Sequence, residues 1–290
     1  MIPSPSQLLG QYGLAPKYSF GQNFLCDRNY TEKIAALATP EPGLHVLELG
    51  AGLGALTDAL LDRACNLAVV ERDRDLVPVL RELFAAQVQS GRLLVVEDDA
   101  KQVDFVELLT RLGPAQDTAS WVITGNLPYQ ITGPLLEKTV HLSRRIKRAV
   151  FLVQKEVADR LAAVPSTKEY GALTVFVQAQ FSVERAFVIK PGAFVPRPRV
   201  ESAVVVLRPH ESELTAETPT FRQVVKLAFS ARRKTLRNAW KALGSPSELE
   251  QLAGACGITL DQRGETLSPR QFAQAGRALE LLRHGTGSSV

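Results

Sequence analysis

The first two thirds of the chain alternate short apolar runs with stretches of helical spacing, and this alternation restricts the fold more than any other feature. Residues 44–49, 67–70, 93–96, 121–124 and 149–153 are apolar runs of strand length. Between them, residues 55–63, 76–86, 103–112 and 134–142 place apolar side chains at helical intervals. Strands that are apolar throughout and separated by helices are buried on both faces, so the pattern predicts a doubly wound α/β fold with a parallel sheet. After a helical stretch at 171–180, residues 185–189 and 202–207 read as two further strands. The loop between them, 190–199, is rich in Pro and Gly and too short for a crossover helix, which makes this last pair antiparallel. From about His210 the strand signals vanish, and 218–243, 247–256 and 269–283 have helical spacing. Pro219 suits a first-turn position, and Ser268-Pro269 reads as an N-cap followed by proline. The expected organisation is a sheet domain, 1–209, and a small all-helical C-terminal domain, 210–290, with a disordered tail from 285.

Composition narrows the function classes. At 290 residues, 45% hydrophobic and 22% charged, the chain is an ordinary globular protein of one large and one small domain. Its net charge of +4 leans toward an anionic partner without establishing one. Cys26, Cys65 and Cys256 are odd in number, far apart and without metal-ligand spacing. They predict a reduced, cytoplasmic protein with no metal. Residues 1–10 lack the pattern of a signal peptide, and the apolar runs are too short to cross a membrane, so no membrane partner is expected.

The first strand runs into Glu48-Leu49-Gly50-Ala51-Gly52-Leu53-Gly54, with a helix just beyond. Gly50 and Gly52 suit a backbone that turns tightly and approaches a ligand closely. With Ala55 the run also fits the dinucleotide fingerprint, so a nicotinamide enzyme and a plain strand–helix turn both stay open at this point. Two acids sharpen the reading. Glu71 closes the second strand, where a carboxylate can accept both ribose hydroxyls, and Asp99 follows the third, where one can accept an adenine amine or cap the next helix. Glu48, just before the glycines, is placed to meet the amino-acid end of a cofactor or to be a hydrogen-bonded buried acid.

The fourth strand ends in Gly125-Asn126-Leu127-Pro128-Tyr129, the most informative stretch of all. The exocyclic amine of adenine is a poor nucleophile because its lone pair is delocalised into the ring. The Asn126 side-chain oxygen and a backbone carbonyl of Leu127 or Pro128 can accept its two hydrogens and favour tetrahedral nitrogen. Pro128 stiffens the loop, and Tyr129 can stack on a flipped-out base. Positioning beside an activated methyl donor then suffices, without a strong base or metal. The loop Phe194-Val195-Pro196-Arg197-Pro198-Arg199 offers a second aromatic, Phe194, to clamp the base, and Arg197 and Arg199 to meet phosphates. An equal reading is a loop anchored by one buried Phe.

At this point the chain resembles the ribosomal RNA adenine dimethyltransferase family. The resemblance is carried by residues 20–25 (Phe-Gly-Gln-Asn-Phe-Leu), 48–54, 126–129, 154–157, Tyr170-Gly171, 194–204 and Arg232 to Asn238, and it covers residues 18–282. It implies a Rossmann-like class I methyltransferase fold and S-adenosylmethionine as cofactor. It also implies N6,N6-dimethylation of two adjacent adenosines near the 3′ end of small-subunit rRNA, by a monomer acting on the assembling subunit. Gln22, Asn23 and Leu25 would join the cofactor site beside Glu48, Gly50, Gly52, Glu71, Asp99 and Asn126. Gln130-Ile131-Thr132 stands where the family has Asn-Ile-Ser, and Ala51 where Pro is common. Rival readings are a large-subunit adenine methyltransferase of the macrolide-resistance type, against which Tyr170-Gly171 and the helical tail stand, and a non-catalytic nucleic-acid-binding relative, against which the intact 126–129 loop stands.

Residues 220–241 hold seven Lys or Arg and no acid. On one helix Arg222, Lys226, Arg233, Arg237 and Lys241 would line a side suited to RNA phosphates, while Val225, Phe229, Leu236, Trp240 and Leu243 would form a stripe packing on the catalytic domain. A break near Ser230 would disturb that register.

Overall fold

The computed structural model describes residues 2–63, 65–113, 121–212, 214, 217–230 and 233–285. Helix α1 (Pro5–Gln11) opens with a capping box, in which Ser4 accepts from the Gln7 N–H and the Gln7 side chain accepts from the Ser4 N–H. A two-residue strand, β1 (Phe24–Leu25), precedes α2 (Arg28–Ala38), which Asp27 caps. The alternating pattern assigns no element to residues 1–43; these three are set by local caps and pairing. Next, β2 (His45–Leu49) leads to α3 (Ala55–Leu61), and β3 (Asn66–Glu71) to α4 (Leu76–Leu83) and α5 (Ala85–Gln89). β4 (Leu93–Glu97) leads to α6 (Phe105–Arg111), β5 (Trp121–Asn126) to α7 (Thr132–Val140), and β6 (Ile146–Gln154) to α8 (Lys155–Leu161). There follow α9 (Ala172–Gln178), β7 (Phe181–Ile189), β8 (Phe194–Val195), β9 (Ser202–Pro209), α10 (Pro219–Ala228), α11 (Leu236–Ala239), α12 (Pro246–Ala255) and α13 (Pro269–Gly285).

The seven-stranded sheet has the order β4-β3-β2-β5-β6-β9-β7. β4 to β6 run parallel, and β9 is antiparallel to β6, with Phe151 opposite Val205. This is the doubly wound sheet with an antiparallel end that the sequence predicts. The later strand, β9, is inserted beside β6 and leaves β7 at the edge. Val46, Val69, Val122, Val150, Leu152 and Val204 are all within 1% of complete burial and share a core with Ile34 and Leu60. Each such side chain contributes about 1.5–3 kcal/mol by leaving water. A separate two-stranded pairing sets Phe24 against Val195 and Leu25 against Phe194.

The chain divides into two compact units, Met1–Ala158 with Glu184–Pro209, and Asp159–Val183 with His210–Val290. This corrects the expected division into continuous stretches. Tyr170, Val175 and Ala179 are buried in one core with Phe221, Trp240, Leu252 and Phe272, and the Tyr170 hydroxyl donates to the Leu267 carbonyl at 2.8 Å.

A second correction concerns the helix expected over 218–243. α10 starts at Pro219 behind a Thr218 cap and ends at Ala228, and among the described residues the next helix is α11. The chain folds back so that Trp240, fully buried, donates its indole N–H to the Val224 carbonyl at 3.0 Å. The stripe Val225, Leu236, Trp240 and Leu243 therefore lies in the core of its own unit, with Phe229 packed against it. Arg232 lies outside the described residues, as does the tail expected to be disordered, apart from Gly285, which ends α13.

Candidate cofactor and catalytic cleft

The C-terminal ends of β2, β3, β4 and β5 open into a cleft, the position where open α/β sheets bind ligands. Its wall includes Gln22, Asn23, Gly50, Gly52, Glu71, Asp99, Asn126, Leu127, Pro128 and Tyr129. Of the other residues singled out in the sequence, Leu25 and Glu48 line a smaller pocket, which shares Phe24, Gly50, Gly52 and Asn126 with the first.

Two glycines are required here by geometry. Gly52 has φ +58, and a Cβ on it would stand 3.0 Å from the Phe24 ring. A Cβ on Gly125 would meet the Leu49 carbonyl oxygen at 2.3 Å, so only glycine lets the end of β5 close on β2.

The carboxylates differ in environment. Glu71 is buried and accepts the Gly52 N–H at 2.7 Å on one oxygen and the Asp73 N–H at 2.8 Å on the other. The Arg72 backbone also stabilises this carboxylate. Burial pushes its pKa up, against those backbone hydrogen bonds. Glu48 is deeper still: the Thr57 hydroxyl donates to it at 2.7 Å, and burial pushes its carboxyl up to about 8. Asp99 accepts the Lys101 N–H at 2.9 Å and faces Arg72 at 3.6 Å and Lys101 at 3.7 Å. The cap of α6 is Asp104, not Asp99, so Asp99 closes the turn at the cleft wall instead.

Asn126 is oriented from outside its own loop. Its Nδ2 donates to the Asn23 backbone carbonyl at 2.9 Å, which leaves the side-chain oxygen as an acceptor. The Pro128 carbonyl already accepts from the Ile131 N–H and the Thr132 hydroxyl, both at 3.1 Å, so its two lone pairs are committed to the start of α7. Of the two carbonyls left open by the sequence, that of Pro128 is thus engaged within the loop, while Leu127 also lines the cleft. The Tyr129 hydroxyl and Ser202 Oγ are hydrogen-bonded at 3.1 Å, which ties the loop after β5 to the start of β9.

The structure does not bring Phe194 to the cleft wall. Its pairing with Leu25 turns it into the core beside Ile34 and Val204, 1% exposed, so the structure shows it as the buried anchor of its loop. Arg197 and Arg199 are exposed on that loop. On the helical unit the basic face is partly neutralised. Arg222 pairs with Glu217 at 2.5 Å and lies over the Phe176 ring, and Arg237 pairs with Glu250 at 2.8 Å and faces Asp261 at 3.5 Å. Lys226 and Arg233 are exposed.

Sequence reasoning missed Phe20, Arg72 and Asp98, which also line the cleft. Phe20 and Arg72 hold each other, with the guanidinium 5.0 Å from the ring centre. No short-range pattern joins residues so far apart, although both adjoin residues that the sequence does single out. Among the described residues no group of three or more His, Cys, Asp or Glu is arranged to hold a metal, and no helix is long and apolar enough to cross a membrane.

Residues 14–280 match the family described as ribosomal RNA adenine dimethylase. The chain is 44% identical over 284 residues to the ribosomal RNA small subunit methyltransferase A of Anaeromyxobacter sp. strain K, covering 96% of this chain and 98% of that one. It is 41% identical over 275 residues to the protein of the same name from Geobacter metallireducens, covering 93% and 98%. Among solved structures, a dimethyladenosine transferase from Plasmodium falciparum superposes with a TM-score of 0.70 at 25% identity, over 90% of this chain and 98% of that one. The 23S rRNA methyltransferase ErmE superposes with a TM-score of 0.65 at 26% identity, over 89% and 100%.

Proposed function

The chain belongs to the ribosomal RNA adenine dimethylase family, and we propose that it uses S-adenosylmethionine to dimethylate N6 of two adjacent adenosines near the 3′ end of small-subunit rRNA. The observation that carries the reading is the Asn126 carboxamide, whose nitrogen is held by Asn23 so that its oxygen, with the Leu127 carbonyl, offers two acceptors at the cleft. Two acceptors fit the two hydrogens of an exocyclic amine and draw its nitrogen toward a tetrahedral, nucleophilic shape. The cofactor supplies an electrophilic methyl group on a sulfonium. Glu71, at the end of β3 on the cleft wall, takes the ribose hydroxyls; Asp99 takes the adenine amine; Gly50 and Gly52 let the backbone approach; and Glu48 serves the amino-acid end from the adjoining pocket. Tyr129, braced by Ser202, stacks on the extruded base. Arg197, Arg199, Lys226 and Arg233 meet phosphates, which position the RNA without specifying sequence. The enzyme acts as a monomer on the assembling small subunit in the cytoplasm.

Mass mapping of rRNA from a strain lacking this gene, before and after complementation, tests the reading. Dimethyladenosine restored at two neighbouring positions of small-subunit rRNA is the expected result. Methylation restored only in large-subunit rRNA would favour the alternative suggested by the likeness to ErmE.

A further inference from the structure

Residues 17–23 cross the cleft as a strap whose two ends converge on one carboxylate outside the set described above. Asp73, its side chain 2% exposed, accepts Lys17 Nζ on Oδ1 and Gln22 Nε2 on Oδ2, the latter at 2.7 Å. Lys17 also pairs with Asp75 at 2.5 Å, and the Lys17 N–H donates to Gln22 Oε1 at 2.7 Å, which closes the strap into a loop. Burial pushes the Asp73 carboxyl up, but the hydrogen bonds from Lys17 and Gln22 outweigh it, and the group is held below its ordinary value. The residue after Gln22 is Asn23, whose carbonyl accepts the Asn126 Nδ2. Gly21, at φ +64, makes the turn between these contacts.

We propose that Asp73 is a positioning residue for methyl transfer, seating the 17–23 strap so that the Asn23 carbonyl fixes the Asn126 carboxamide with its oxygen toward the substrate amine. The proposal rests on the reading of Asn126 given above. A carboxamide is nearly symmetric in shape, so packing alone does not choose between its oxygen and nitrogen. A fixed carbonyl on one side does choose, because only the nitrogen can donate to it. Without that partner the amide turns over, and a donor faces the hydrogens of the adenine amine. Glu71 and Asp73 lie two residues apart, so the short segment that serves the cofactor also holds the strap that orients the acceptor for the second substrate.

The test compares Asp73→Ala, Asp73→Asn, Lys17→Met and Asn126→Ala with the wild type in the full chain. Single-turnover methylation of unmethylated small-subunit particles is measured at saturating S-adenosylmethionine, cofactor affinity by calorimetry, and the Asn126 carboxamide resonance by NMR, assigned through its loss in Asn126→Ala. Asp73→Ala is expected to lower the saturated rate about tenfold, the factor attached to one lost hydrogen bond, and to move the carboxamide resonance. Asp73→Asn, which keeps one acceptor for Gln22, recovers part of the rate and of the resonance position. Lys17→Met moves both in the same direction by less, and carries the test if Asp73→Ala does not fold. An unchanged saturated rate with only cofactor affinity reduced would make the strap a cofactor clamp and overturn the proposal. So would a wild-type rate and resonance in both Asp73→Ala and Lys17→Met. A near wild-type rate in Asn126→Ala overturns the underlying reading, whereas a slow Asn126→Ala beside a wild-type Asp73→Ala overturns this inference alone.

Discussion

The cleft of the sheet unit and the basic helices of the other unit were singled out by the same kind of reasoning, and they fare differently in the fold. At the cleft, each residue type is tied to a place the backbone must occupy: a strand end, a glycine turn, a proline-stiffened loop. Tertiary contacts add to those roles, as when Asn23 orients Asn126. On the helices the inference rests on charge and a 3.6-residue register, and acids outside the basic run (Glu217, Glu250 and Asp261) take up two of the arginines. Backbone-defined sites are read locally, whereas a charged face is defined only once its neighbours are known.

The sharpest way to break this contrast is at Asn126. Asn126→Ala should lower methyl transfer by roughly 10²-fold or more, the scale for a lost preorganised group at a reacting centre, while unfolding stays cooperative. A near wild-type rate would put the cleft on the same footing as the basic face.

Glu48 tests whether its deep burial is as costly as its surroundings imply. Its folded carboxyl titrates near 8, against an ordinary value of 4.5. Below the ordinary value the acid is protonated in both states and costs nothing. As pH rises from there the unfolded chain ionises while the folded one keeps its proton, so stability is lost progressively until pH passes about 8. Glu48→Gln should therefore leave the melting temperature unchanged near about pH 4 and raise it above about pH 8, by up to a few kcal/mol of stability. Equal effects at both would mean that Glu48 does not titrate in this range.

Glu71→Ala should weaken S-adenosylmethionine binding by roughly 1–3 kcal/mol, measured calorimetrically on a folded variant. Unchanged affinity would reduce Glu71 to a brace for the glycine turn through Gly52.

On the helical unit, reversal of Lys226 and Arg233 to Glu should weaken particle binding and flatten its salt dependence by roughly one unit of slope per phosphate contact, with cofactor affinity unchanged. Arg237→Gln, which breaks an exposed ion pair, should leave the melting temperature nearly unchanged and alter the salt slope less. Identical slopes in both variants would mean that ion pairing does not decide which cations meet RNA. The smallest effect on methyl transfer is expected for Tyr129→Phe. It keeps the stacking ring and so should leave the rate nearly unchanged, while stripping Ser202 of a partner for a loss of about 1 kcal/mol in a thermal melt.

The five parallel strands, the helices between them, the glycine turn and the Asn126 loop were legible because each is written in neighbouring residues: apolar runs, helical spacing, or glycine where no Cβ fits. The same local chemistry placed Pro219 and Ser268 at helix starts, and both elements form there. What the sequence left open was decided by contacts formed in the fold. Pairing with Leu25 selects the buried reading of Phe194, the return of Trp240 onto Val224 fixes the break foreseen near Ser230, and the start of α7 engages the Pro128 carbonyl. The grouping of 159–183 with the C-terminal helices follows from a shared apolar core. A sequence fixes which side chains prefer burial and which backbone turns are possible. Only the closed fold assigns each polar atom its partner, because a hydrogen bond or ion pair is decided by ångströms between groups that the chain brings together last.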